Sequence, residues 1–173
     1  MRAMFLDHRE ELITQAVKRL WNDVGIEADV EMGDRVADEN YWMKAPVVVS
    51  TIQTQIAGNG GYCRMKMFDP NDFGVVICDE AHHYTSPSFR KVLDHYKQNP
   101  EIKILGVTAT PDRADEQALG QVFESVCFDY EILDAIRDGW LVPVDQQLVQ
   151  VEGLDFSKVR TTAGDLNGAD LAA

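Results

Sequence analysis

The chain has 173 residues, of which 45% are hydrophobic and 26% are charged, a composition typical of one globular domain with its own core and not of a disordered segment. The formal net charge of -13 excludes a surface that is basic throughout, as tight nucleic-acid binding would favour. The acids cluster at residues 29–39, 112–116 and 165–170, so a local edge can still be neutral or basic.

Targeting signals and cysteine pairs are both missing from the sequence. The apolar run in residues 1–6 is too short for a signal peptide, and no stretch approaches the ~20 apolar residues of a membrane span. The three cysteines, Cys63, Cys78 and Cys127, form no CxxC pair. We therefore expect a cytoplasmic protein with reduced thiols and no membrane contact.

The first third of the chain predicts strands that alternate with helices. Residues 3–6 predict a short strand, and apolar positions at helical spacing from Leu12 onward predict a helix that ends at Gly25. The apolar residues Ala28, Val30 and Met32 alternate with acids, as in a half-exposed edge strand. Residues 46–49 predict a buried strand, after which Ser50 and Thr51 can cap a short helix.

The middle third continues this alternation. Residues 73–78 form an uninterrupted apolar run rich in β-branched side chains, which predicts a strand buried on both faces of a parallel sheet. A helix is expected from Pro87, with an apolar face that ends at Tyr96, and residues 102–107 predict the next strand. The series predicts a doubly wound, mostly parallel α/β sheet.

The last third has weaker patterns. We expect a helix around residues 116–123, a strand near residues 126–128, a helix over residues 131–138 and an extended segment over residues 141–151. From residue 152 the composition shifts to Gly, Ala, Thr and Asp, and no further strand and helix series follows.

Two carboxylates, Asp79 and Glu80, directly follow the buried strand of residues 73–78. Open α/β sheets bind ligands beyond the carboxyl ends of their strands. One acid at such a position can hold a hydrated Mg²⁺, and its neighbour can act as a base on a water or a hydroxyl. Taken alone, the pair is equally consistent with two solvated acids. A metallohydrolase cluster with His82 and His83 is disfavoured because the HExxH spacing is absent.

Four short motifs resemble those of the DEAH-type superfamily 2 helicases, in that family's order. The sequence Asp-Glu-Ala-His at residues 79–82 resembles the Walker B motif, and Thr-Ala-Thr-Pro at residues 108–111 resembles motif III. Residues 8–12 resemble motif Ia, and residues 50–54 resemble motif Ib. The similarity covers about residues 3–150 and is nearest to the Res-subunit-like helicases of restriction enzymes and phages.

This resemblance implies a fold and an activity. Residues 1–151 would form an incomplete first RecA-like lobe, and residues 152–173 a linker or the start of a second lobe. The implied activity is ATP hydrolysis coupled to movement on nucleic acid, with Mg²⁺ as the metal and with DNA favoured over RNA as the partner.

The resemblance also assigns roles to residues of the nucleotide site. Asp79 would hold Mg²⁺ through water, and Glu80 would orient or deprotonate the attacking water. His82 would link the nucleotide site to motif III, whose residues Thr108, Ala109 and Thr110 would relay that link.

Nucleic-acid contacts are implied for Arg9 in motif Ia and for Thr51, Gln53 and Thr54 in motif Ib. Hydroxyls, amides and backbone N–H groups at helix starts make such sequence-independent phosphate contacts. The residues themselves allow two simpler interpretations: Arg9 pairs with acids on its own helix, and Thr51 only caps a helix.

The phosphate-binding loop of such ATPases, GxxxxGK followed by Ser or Thr, does not occur in the sequence. The glycine-rich residues 58–61 lack both the Lys and the hydroxyl that touch phosphate and Mg²⁺. We therefore expect an incomplete lobe that binds ATP weakly or not at all, with the missing loop and second lobe as partners. Without that loop's strand, the strand at residues 102–107 should expose an unpaired edge. The alternative is a non-catalytic module that docks on a partner or on nucleic acid.

Overall fold

The computed structural model describes residues 1–37, 44–58, 62–110 and 119–146, together with the backbone of residues 161–162 and 165–166. The chain divides into two compact units, residues 1–127 and residues 128–173. The boundary predicted at residue 151 lies outside the described residues.

A five-stranded parallel sheet forms the centre of the first unit. Its strands are β1 (Arg2–Asp7), β2 (Ala28–Glu31), β3 (Val47–Thr51), β4 (Phe73–Cys78) and β5 (Lys103–Gly106). The order across the sheet is β2-β3-β1-β4-β5, and neighbouring strands are parallel. The predicted α/β, RecA-like sheet is confirmed.

Helices cover both faces of this sheet. They are α1 (Glu10–Val24), α2 (Ile52–Ile56) and α3 (Pro87–Tyr96). Helix α1 ends at Gly25 as predicted, because the left-handed φ of 67° lets its N–H reach the last carbonyls of the helix. One core cluster packs α1 on β2 and β3, and the other packs α2 and α3 on β1 and β4.

The register of the strands brings their exits to one edge. Leu6 in β1 pairs with Cys78 in β4, and Cys78 pairs with Gly106 in β5. The N–H of Asp79 donates to the carbonyl of Leu6 at 3.0 Å. Since the strands are parallel, the segments after β1, β3, β4 and β5 all leave at this carboxyl edge, where ligands bind in open α/β sheets.

The two edge strands differ from each other. Strand β2 is an edge strand as predicted, but its acids are not simply half-exposed: the Glu31 side chain is fully buried, because Arg64 forms an ion pair with it and the N–H of Ala37 donates to it. Strand β5 pairs only with β4 among the described strands, and Leu105 is 41% exposed. The unpaired edge expected for this strand is present in the described part of the chain.

The segment after β5 differs from its prediction. Residues 126–128 form no strand, and Val126 and Phe128 are 82% and 78% exposed. An apolar run becomes a strand only where a neighbour satisfies its backbone groups, and no described strand lies beside these residues. The predicted helix at residues 116–123 falls partly outside the described residues, as does the extended segment at residues 141–151.

The second unit contains the predicted helix near residues 131–138. This helix, α4 (Ile132–Arg137), is followed by Gly139 at φ 80°. The short strands β6 (Thr161–Thr162) and β7 (Asp165–Leu166) form an antiparallel pair. Among the described helices, none combines the length and the apolar character needed to cross a membrane.

Candidate active site

A cleft of about 300 Å³ opens at the carboxyl edge of the sheet in the first unit. Three of the four sequence motifs contribute to its wall, which consists of Arg9, Glu80, His82, His83, Ala109 and Thr110. Residues that are far apart in the chain therefore meet here because β1, β4 and β5 are neighbours and exit on the same side.

The backbone of Glu80 is in an unusual conformation. Its φ of 49° and ψ of 53° are left-handed, and no other non-glycine residue in the described chain has a positive φ. The N–H of Glu80 donates to Oδ1 of Asp79 at 2.9 Å, and this bond stabilises the turn. A left-handed conformation costs a residue with a Cβ about 1–2 kcal/mol. Such strained positions concentrate at functional sites, so Glu80 is the principal candidate in the cleft.

His82 joins the exits of β4 and β5. Its Nδ1 lies 3.0 Å from Oγ1 of Thr108 and 3.3 Å from Oε2 of Glu80. The same hydroxyl of Thr108 accepts the N–H of Thr110 at 3.2 Å. The structure thus places His82, Glu80 and motif III in contact. The coupling role assigned to these residues stays a prediction.

Asp79 has an electrostatic environment unlike that of a surface acid. Burial raises the pKa of Asp79 above its ordinary value, the nearby carboxylate of Asp7 raises it further, and the N–H of Glu80 acts in the opposite direction. Asp7 is itself buried at the end of β1, and its Oδ1 accepts the N–H of Arg9 at 2.9 Å. Its Oδ2 is buried without a hydrogen-bond partner in the described chain. The two acids therefore lie close enough to raise each other's charge cost, and a bound cation would offset their repulsion.

The donor set suits a hydrated Mg²⁺ better than a tightly ligated metal. No group of three or more His, Cys, Asp or Glu side chains in the described residues is arranged to hold a metal ion. Mg²⁺ keeps several waters and is commonly bound by one or two carboxylates plus phosphate oxygens. Asp79 does not itself line the cleft, but it directly precedes Glu80, which does, and one carboxylate at this place fits that mode of binding.

Arg9 lies at the start of α1 and borders the cleft. Its Nε donates to Nε2 of His8 at 3.1 Å. The guanidinium thus contacts a neighbouring imidazole and lies on the same cleft as Glu80, so it is a candidate for binding a phosphate there.

The three motif Ib residues divide into two groups. Thr51 and Thr54 are 4% and 7% exposed, and their hydroxyls are hydrogen-bonded to each other at 2.8 Å. Thr51 also accepts the N–H of Thr54 and caps α2, which is the simpler of the two interpretations considered for it. Gln53 is exposed, and its Nε2 donates to the carbonyl of His8 at 3.0 Å. Nucleic-acid contact stays a prediction for all three, and Gln53 is the most accessible.

A match to a known protein family covers the part of the chain that forms the sheet. The family described as "Type III restriction enzyme, res subunit" (ResIII) matches residues 1–113 of this chain. The chain belongs to the ResIII family. The matched residues include β1 to β5, Asp79, Glu80 and Thr108, so the family match and the cleft rest on the same part of the chain.

Several proteins are similar to this ResIII chain. The Saccharomyces cerevisiae protein named "Putative ATP-dependent helicase IRC3" is 33% identical over 99% of this chain and 24% of its own length. A type I restriction enzyme EcoAI endonuclease subunit of Escherichia coli is 26% identical over 96% of this chain and 20% of its own length. The DNA 3'-5' helicase XPB of Mycobacterium tuberculosis is 31% identical over 66% of this chain and 21% of its own length. The chain spans about a quarter of the length of these relatives or less.

The structure places three residues of this ResIII chain at the site that sequence reasoning did not identify as site residues: Asp7, His8 and His83. Asp7 is the last residue of β1 and Asp79 directly follows β4, and this similar position of an acid at the end of an apolar run was the available signal. His8 belongs to the motif Ia stretch, and its ring centroid lies 4.7 Å from that of His83. No local pattern predicts the contact between these two rings, because it depends on the β1 and β4 register.

Proposed function

We propose that this chain contributes the Walker B and coupling residues of the first RecA-like lobe of a DEAH-type, ATP-dependent superfamily 2 helicase or translocase. The observation that carries the proposal is the meeting of Glu80, His82 and Thr110 around one cleft at the carboxyl edge of a parallel sheet. The ResIII family match and the helicase names of two relatives support the same class.

Glu80 is the residue best suited to act on a water molecule. It is 36% exposed, lies in the cleft and is held in a strained turn beside His82. A carboxylate so placed orients or deprotonates an attacking water. Asp79 would hold Mg²⁺ through water, and the metal would neutralise charge that develops on the phosphates of ATP.

For nucleic acid, the accessible candidates are Arg9 and Gln53, which lie on adjacent segments after β1 and β3. The side chain of Gln53 is bonded to the backbone of His8, one residue before Arg9. Sequence-independent phosphate contacts from such groups suit a protein that moves along a strand. The names of the XPB relatives include DNA, which favours DNA over RNA as the partner.

The phosphate-binding part of the motor would come from outside the described cleft. The sequence contains no GxxxxGK motif, and β5 has an unpaired edge among the described strands, with Leu105 exposed. We propose that a strand and a glycine loop from another segment or chain join the sheet at β5, and that this chain by itself binds ATP weakly.

A second candidate function is a non-catalytic module that binds a partner or nucleic acid. The missing phosphate loop favours it. The two candidates differ in whether the carboxylate of Glu80 matters for turnover.

The first test is an ATPase assay of the purified chain, with and without single-stranded DNA. A second assay uses a chimaera in which residues 1–113 replace the matching segment of IRC3, so that the remainder of the motor is present. In the chimaera we expect DNA-stimulated hydrolysis that Glu80→Gln lowers by about 10²–10⁴-fold, the range for loss of a general base.

The matched control is Glu27→Gln, because Glu27 is an exposed acid directly before β2, at the edge of the sheet opposite the cleft. It should leave hydrolysis by the chimaera unchanged. If Glu80→Gln also leaves it unchanged, the catalytic assignment is wrong. If a folded chimaera binds DNA but does not hydrolyse ATP, the non-catalytic module is the correct function. Separately, Mg²⁺-dependent micromolar binding of a fluorescent nucleotide by the chain alone would contradict the proposal of an incomplete site.

A further inference from the structure

Three of the chain's four histidines form a cluster beside the cleft. The ring centroids of His8 and His83 are 4.7 Å apart at an interplanar angle of 67°, and those of His83 and His82 are 4.1 Å apart at 49°. The three imidazoles thus make a continuous series of ring contacts from the exit of β1 to the exit of β4.

Each end of the series is bonded to a different motif. At one end, Gln53 donates to the backbone carbonyl of His8 at 3.0 Å. At the other end, Nδ1 of His82 lies 3.0 Å from the hydroxyl of Thr108 and 3.3 Å from the carboxylate of Glu80. Contacts between neighbouring groups therefore join motif Ib, motif Ia, the Walker B motif and motif III.

His8 is held firmly in this series. A guanidinium nitrogen can only donate, so the 3.1 Å contact from Nε of Arg9 makes Nε2 of His8 the acceptor and places the ring proton on Nδ1. That Nδ1 lies 3.2 Å from Oδ1 of Asp7 but forms no hydrogen bond with it, and Oδ1 accepts the backbone N–H groups of His8 and Arg9. Arg9 adjoins His8 in the chain and Gln53 is bonded to the backbone carbonyl of His8, so a ligand that displaces this backbone also displaces the ring at position 8.

We propose that His8 is a positioning residue that transmits occupancy of a nucleic-acid strand at Arg9 and Gln53 to Glu80, through the rings of His83 and His82. The inference rests on the proposed function and goes beyond it, since it assigns the coupling to a histidine contact that lies outside the Walker B and motif III residues. It requires the ring contact between His8 and His83, not the hydrogen-bonding nitrogens of His8.

The experiment records the imidazole signals of the whole chain by NMR, before and after addition of single-stranded oligo-dT. Saturation is established for each variant by fluorescence anisotropy. His95 is an internal control because its Nε2 is bonded to the carbonyl of Phe68, away from the ring series. In the unmodified chain, the signals of His82 and His83 should shift while that of His95 does not. His8→Ala should abolish these shifts, and His8→Phe, which keeps a ring at this position, should retain them.

The outcomes separate the inference from the proposed function. Oligonucleotide binding with full shifts of His82 and His83 in His8→Ala overturns the role of His8 and leaves the proposed function intact. Shifts that are lost in both His8→Ala and His8→Phe overturn the ring contact as the route. No binding of oligo-dT by the unmodified chain overturns the nucleic-acid role in the proposed function, and this inference with it. Thermal melting of each variant shows whether it is folded. The pair His83→Ala and His83→Phe repeats the comparison at the neighbouring ring, with the imidazole signal of His82 as the readout.

Discussion

The imidazole Nδ1 of His82 lies 3.0 Å from the hydroxyl oxygen of Thr108, a residue 26 positions further along the chain. The contact follows from the parallel pairing of β4 with β5, in which Cys78 lies opposite Gly106. Beyond this pair the N–H of Ala81 donates to the carbonyl of Val107 at 2.9 Å, which holds the two strand exits together.

Replacing Thr108 by Val should remove this link. The hydroxyl is the partner of both His82 and the N–H of Thr110, so we expect a loss of about 0.5–1.5 kcal/mol in the free energy of unfolding. Urea denaturation measures it. The control is Thr110→Val, an exposed position where a change within about 0.5 kcal/mol is expected. Equal losses in both variants would show that the Thr108 hydroxyl has no special role.

The buried ion pair of Glu31 and Arg64 should matter much more for stability. Arg64 also donates to the carbonyls of Gly33 and Arg35, which ties the segment after β2 to the 3-10 helix at Arg64–Met67. Arg64→Met removes a cation that is paired with a fully buried carboxylate, and we expect a loss of about 3–5 kcal/mol in urea denaturation.

Two further variants test that explanation. Lys44→Met removes a partner from the exposed ion pair with Asp72 and should change stability by about 0–1 kcal/mol. Glu31→Gln added to Arg64→Met should recover part of the loss, because it removes the buried charge. If it recovers nothing, the cost lies in the other lost contacts of Arg64 and not in the buried charge of Glu31.

Stability should fall at alkaline pH. Burial raises the pKa of the Cys78 thiol to about 12 from 9.0, and burial also raises the pKa of the Tyr84 and Tyr96 hydroxyls above their ordinary value. In the unfolded chain these groups ionise at lower pH, so unfolding releases protons. The thiol's contribution to stability is therefore complete below pH 9 and is lost as the pH rises toward 12, at about 1.4 kcal/mol per pH unit.

Denaturation at several pH values above 9 measures this slope. Cys78→Ala should make it shallower, whereas Ala at the exposed Cys127 should leave it unchanged. Identical slopes in the unmodified chain and in Cys78→Ala would contradict the assignment of the thiol.

The unpaired edge of β5 should promote self-association. A strand edge with exposed apolar side chains is a template for pairing with another chain, and Lys on such a strand suppresses that pairing. We expect sedimentation velocity to show association that increases with protein concentration and that Leu105→Lys reduces. Val24→Lys is the matched control, because Val24 is 62% exposed on α1 and away from the edge. Equal association of all three proteins would exclude the β5 edge as the interface.

The sequence by itself determined the features that depend on neighbouring residues. Helix α1 with its end at Gly25, the cap of α2 at Thr51 and the start of α3 at Pro87 were all predicted, because capping groups, helical spacing and turn residues act over a few positions. The order of strands and helices also followed from local patterns, and that order was enough to predict a parallel α/β sheet.

Only the tertiary structure decided which side chains meet. Tertiary packing places Arg9 on the cleft of Glu80, brings the ring of His8 against that of His83, and buries Glu31 against Arg64. These contacts join residues that are tens of positions apart, so no local pattern contains them. The failed strand at residues 126–128 has the same cause, since strand formation requires a partner that the segment itself cannot specify.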